Sequence, residues 1–159
     1  MAAEISAVSD TTRDDDVVVR KTVTVPLPQR DAFRLFTEGM GTWWPTLTHS
    51  VAGETALAGM DDRVGGEIYE DSPDGRVTWG TITAWDAPEG FSSTWHPGYE
   101  AELATQLTVR FVAEGPNSTR VELEHRGWAI HGEEATERFE SYTVGWDPVL
   151  ATYVERAGG

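Results

Sequence analysis

The sequence predicts an α+β fold, a curved antiparallel sheet of about six strands wrapped around one long C-terminal helix, with a short helical segment near the N-terminus. Three features carry that expectation. Runs of β-branched and aromatic residues alternate with polar ones between Val17 and Arg126, and turn residues close most of them. One short and one long stretch, at opposite ends, instead show apolar residues at helical spacing. The long stripe is the available cover for the sheet's apolar face, and a sheet curved around a single helix leaves a natural ligand cavity between them.

"VVVRKTVTVPLP" is β-branched and ends in two prolines, so it reads as a first strand closed by a turn. Pro28 suits the first turn of a helix, and Ala32, Phe33, Phe36 and Met40 follow at helical spacing, with Gly39 and Gly41 as stop signals. "GTWWPTLTHSVAGETALAGMDD" shows neither period and reads as a long loop with Trp43 and Trp44 folded inward, a lid or plug. Strands resume in "VGGEIYED", in "GRVTWGTITAWD" after Ser72-Pro73-Asp74-Gly75, and in "FSSTWH" after Pro88-Glu89-Gly90.

"ELATQLTVRFVAEG" sets Leu103, Leu107, Val109 and Phe111 against Gln106, Thr108 and Arg110, and "GPNS" turns it into "RVELEHRGW". There Val121, Leu123 and His125 share one side, so a titratable ring takes an aliphatic place. In "EEATERFESYTVGWDPVLATYVER", Phe139, Tyr142, Trp146, Val149, Leu150 and Tyr153 form one helical stripe, and Glu133, Glu134 and Glu137 suit its first turns. Gly145 and Pro148 predict a kink within it.

Residues 17–157 are expected to form a single domain behind a disordered acidic tail over residues 1–16. The tail's five acids and one arginine supply -4 of the net charge of -15, which leaves -11 for the rest. Such acidity repels phosphate backbones and anionic lipid surfaces, so neither nucleic acid nor membrane is an expected partner. The absence of cysteine excludes disulfides, thiolate metal sites and a cysteine nucleophile. With no signal sequence and no membrane-spanning stretch, a cytoplasmic protein is expected, monomer or homodimer.

"VGGEIYED", "GRVTWGTITAWDAPEGFSSTWHPG", "RVELEHRGW" and "YTVGWDPVL", in this order, resemble the AHSA1-like (activator of Hsp90 ATPase homologue 1-like) branch of the SRPBCC superfamily, the START-like or Bet v1-like proteins. The likeness runs from about Val17 to Glu155. It implies a helix-grip fold enclosing a hydrophobic cavity. The superfamily includes lipid and steroid carriers, polyketide cyclases, resistance proteins and the C-terminal module of an Hsp90 co-chaperone, so the fold does not choose the function. The co-chaperone's N-terminal Hsp90-binding domain has no counterpart in these 159 residues, which ranks an Hsp90-type partner last.

Seven tryptophans are a high load for this length. Singly, each is first a core residue; as a set they suggest an aromatic-lined pocket for flat or greasy ligands. The expected cavity residues are Trp44, His49, Tyr69, Trp79, Trp95, His125, Trp128, Tyr142 and Trp146. His125 is read as a polar handle near the cavity mouth, against the plainer reading of a satisfied core histidine. One face of "GGEIYED" carries Glu67 and Tyr69 and the other Ile68 and Glu70, so a carboxylate turns inward either way; the resemblance favours Glu70. No HExxH, G-x-S-x-G or phosphate-binding glycine loop occurs, so no metal, cofactor or nucleophilic serine is expected.

The leading expectation is a binder of a small hydrophobic or aromatic molecule. Behind it stands a cyclase- or isomerase-like enzyme in which His125, with Glu70 or Tyr69, moves a proton on a polyketide-like or enolisable substrate. A protein-interaction module comes third.

Overall fold

Strand β1 (Val19–Val25) opens the fold in the computed structural model, which describes residues 17–46, 48–51 and 56–158. The expected tail over residues 1–16 lies outside the described residues. Val19 and Val25 turn inward, as alternation requires. Lys21 shares their face, and its Nζ lies 2.9 Å from Asp147 Oδ1 on the C-terminal helix, tying the sheet edge to its cover. Pro28 caps helix α1 (Gln29–Phe36), which buries Ala32, Phe33 and Phe36. The Gln29 side-chain amide donates to the Phe111 carbonyl at 2.7 Å and docks the helix on the sheet.

Strands β2 (Leu57–Met60), β3 (Glu67–Ser72), β4 (Gly75–Asp86), β5 (Gly90–Trp95), β6 (Thr105–Gly115) and β7 (Ser118–Arg126) follow. They form one antiparallel sheet of seven strands, in the order β1-β7-β6-β5-β4-β3-β2. The extra strand is β2, four residues from the stretch expected to be loop. A short edge strand with two glycyl or alanyl positions carries too little alternation to announce itself; pairing with β3 makes it a strand. Register shifts interrupt the pairing at Ile68/Tyr69, Ile82/Ala84 and Ala113/Gly115, where a bulge bends the strand locally. Gly80 permits a close crossing, since a Cβ there would stand 1.9 Å from the Thr94 carbonyl oxygen.

Helix α2 (Ala135–Arg156) runs through the curve of the sheet without a break. Pro148 lies inside it and cannot serve the Val144 carbonyl with an N–H; Val144 is 70% exposed, so water can satisfy that oxygen. Burial is uneven along α2. Trp146, Val149, Leu150 and Tyr153 are buried, while Phe139 and Tyr142 are only partly covered. The C-terminal half closes the core, where the Tyr153 hydroxyl donates to the Ala32 carbonyl at 2.9 Å and burial pushes its phenol pKa up. The N-terminal half therefore overhangs open space. No helix among the described residues is long and apolar enough to cross a membrane.

Candidate functional site

That space is a cavity of about 360 Å³, within the range of small-molecule sites. Two strands, an irregular segment and helix α2 wall it. Strands β4 and β5 contribute the buried indoles Trp79 and Trp95, with ring centroids 5.7 Å apart. The segment before β2 adds Trp44, 4.9 Å from Trp79 and 6.0 Å from Trp95. Helix α2 presents Arg138, Ser141, Tyr142, Gly145, Trp146 and Val149. These recur at i, i+3, i+4, i+7, i+8 and i+11, a single helical face. A Cβ on Gly145 would meet nothing within 4 Å, so this glycine leaves part of the cavity open.

The wall made by Thr48, His49, Ser50 and Val51 is not regular structure, and specific bonds hold it. Trp44 Nε1 donates to the His49 carbonyl at 2.7 Å, closing a short loop. Thr48 Oγ1 lies 2.7 Å from His49 Nδ1. Glu70 reaches up from β3: its Oε1 accepts from Ser50 Oγ at 2.9 Å and its Oε2 from the Val51 backbone N–H at 3.0 Å. The carboxylate is fully buried. Hydrogen bonds replace the water that its oxygens lose on burial, and here they fasten the cavity wall to the sheet.

His125 lies behind this wall, with no exposed surface, and is not among the described residues lining the cavity. Trp146 Nε1 donates to its Nδ1 at 3.0 Å, and its Nε2 stands 2.6 Å from Thr105 Oγ1. An indole N–H only donates, so Nδ1 is the acceptor and the ring proton sits on Nε2. Nε2–H then donates to the Thr105 hydroxyl, which passes its own hydrogen to the Trp95 carbonyl at 3.0 Å. Every member of this chain is satisfied. Burial, aided by the nearby His131 charge, pushes the imidazole pKa down to about 3. His125 is thus a neutral strut that orients Trp146 and, through Thr105, holds the end of β5.

Six of the nine expected cavity residues meet around the space: Trp44, His49, Trp79, Trp95, Tyr142 and Trp146. Trp128 packs against His125 from the far side, ring centroids 4.3 Å apart, with Nε1 donating to the His125 carbonyl. Tyr69 alternates away from buried Ile68 and Glu70 to the outer face, where the Arg76 guanidinium lies 3.6 Å from its ring centroid. The pairing of His125 with Glu70 or Tyr69 is therefore not assembled: Glu70 serves the loop, Tyr69 faces outward, and His125 is enclosed by other partners.

Arg138 and Tyr99 also line the cavity and were not anticipated. The Arg138 guanidinium lies 4.8 Å from the Tyr99 ring centroid, and its Nη2 donates to Glu134 Oε1 at 2.8 Å. In the sequence, Glu134 and Arg138 look like an ordinary solvent pair at i, i+4. The available signal was that Arg138, Ser141 and Gly145 interrupt an otherwise apolar helix face, which a packed core would not tolerate. Burial pushes the Tyr142 phenol pKa up, while the neighbouring Trp95 works against that rise. Among the described residues no group of three or more His, Cys, Asp or Glu side chains could hold a metal ion.

Residues 26–153 match the model of the family described as Activator of Hsp90 ATPase homolog 1-like protein. A solved anthrahydroquino-gamma-pyrone synthase is 30% identical with a TM-score of 0.61, over 87% of this chain and 95% of that one. The self-sacrificing resistance protein CalC from Micromonospora echinospora is 28% identical with a TM-score of 0.67, over 88% and 93%. An Hsp90 activator from Plasmodium falciparum, 24% identical with a TM-score of 0.59 over 87% and 93%, shares the fold. No curated protein sequence matches the chain.

Proposed function

This chain belongs to the Activator of Hsp90 ATPase homolog 1-like family, and within it we propose a protein that binds a flat aromatic molecule in the cavity between sheet and helix α2. The observation that carries this reading is the set of four indoles, Trp44, Trp79, Trp95 and Trp146, gathered around a space of about 360 Å³. Aromatic faces meeting at an angle favour a planar guest, which can stack on one ring and meet the edges of others. The neighbouring anthrahydroquino-gamma-pyrone synthase brings fused-ring aromatic chemistry as the guest class to try first.

Cyclase-like turnover is the second reading, favoured by the identity to the synthase. Its proton-handling group would come from the cavity wall, where His49 and Tyr142 stand, since His125 is enclosed and its nitrogens are occupied.

The test is titration with 1,8-dihydroxyanthraquinone, followed by tryptophan fluorescence. Saturable quenching is expected, and quenching that never saturates would count against the cavity. Gly145 supplies the control. Gly145→Ala should raise stability by about 1 kcal/mol through helix propensity and disturb binding little. Gly145→Leu should keep the fold and weaken binding by about tenfold or more, because its side chain enters the guest's space. Unchanged affinity in Gly145→Leu would place the guest elsewhere.

A further inference from the structure

Resting on that cavity reading, we propose that the guest is an aromatic anion, with a carboxylate or ionised phenol oxygen seated against Arg138. The chain carries a net charge of -15, yet none of the described residues lining the cavity is Asp or Glu, and one is an arginine. Arg138 is held in place before any guest arrives, by the Tyr99 ring on one side and Glu134 on the other. That single carboxylate contact, at Nη2, leaves most of the planar fork free. Nε is buried and has no hydrogen-bond partner among the described residues. A preorganised guanidinium with donors to spare is the group that recognises a carboxylate or phenolate in two-pronged fashion.

The sheet wall of the cavity holds a second unused donor. Trp79 Nε1 is buried without a partner among the described residues, so an aromatic guest that also carries a carbonyl or hydroxyl oxygen has a place to direct it. The acidic surface opposes the approach of any anion, which puts the selection at the mouth and not in long-range attraction. Neutral greasy molecules fit the indoles equally well but leave Arg138 unanswered.

Anthracene-2-carboxylate and its uncharged amide separate the two cases, measured by energy transfer from tryptophan in the wild type, Arg138→Gln and Arg138→Lys. The acid should bind the wild type about tenfold or more tightly than the amide. That ratio should fall to near one in Arg138→Gln and survive in part in Arg138→Lys, with urea midpoints confirming that each variant folds. If the amide binds as well as the acid, or the preference persists in Arg138→Gln, the anion proposal is overturned while the cavity reading stands. Binding of neither compound would overturn both.

Discussion

Lowering the pH from 6.5 should unfold this protein earlier than carboxylate titration would. His125 has a pKa of about 3 in the folded state, against about 6.5 when unfolded. Between those values the unfolded chain binds the proton and the folded one does not. The stability from a neutral His125 is therefore complete above pH 6.5 and is lost as pH falls below it. The slope approaches about 1.4 kcal/mol per pH unit, and the full span amounts to about 5 kcal/mol, comparable with the whole stability of many domains.

His131, also held below its ordinary value by burial, acts in the same direction. Urea midpoints at pH 7, 6 and 5 isolate the effect, because carboxylates are still mostly ionised there. In His125→Gln the slope over this interval should shrink by nearly one proton, although the variant starts less stable by about 2 kcal/mol for the misfit with Trp146 and Thr105. An equal slope in both proteins would mean that the imidazole titrates normally and is not the neutral strut described. Ring nitrogen chemical shifts provide an independent check, since the proton should reside on Nε2.

Glu70→Ala should cost about 3 kcal/mol and loosen one wall of the cavity. It withdraws the acceptors of two donors, Ser50 Oγ–H and the Val51 N–H, and leaves a hole where a fully buried side chain stood. The amide of Val51 should lose hydrogen-exchange protection beyond the global change. Guest affinity should fall as well, because the residues that Glu70 fastens line the cavity. Glu70→Gln keeps the volume and one acceptor, so about half of the stability loss is expected. A Glu70→Ala protein with normal protection at Val51 would show that the loop is held by other means.

The two residues differ in how far their roles could be read from residue order. In "VELEHRGW" the period of two places His125 inward, and the structure puts it there. Whether an inward ring meets a guest or only its neighbours depends on how α2 crosses the sheet, and Trp146 arrives from 21 positions away to take the ring's free nitrogen. For Glu70, alternation left two faces open, and only pairing with β2 and β4 put Ile68 and Glu70 on the inner one. Its partners on the segment before β2 have no periodic signal at all.

The element order, the antiparallel sheet and the amphipathic C-terminal helix were determined by the sequence itself, since each follows from local periodicity and turn chemistry. The tryptophan-rich character of the cavity was legible too, because inward strand positions and the α2 stripe had to converge. Only the tertiary structure decided which aromatics line the space and which, like Trp128, stand behind it. It also moved Arg138 from a surface ion pair to the cavity wall and His125 from the wall into the core. The physical reason is common to both: a side chain's chemistry is set by what approaches it from distant parts of the chain, and periodicity reports only the direction in which it points.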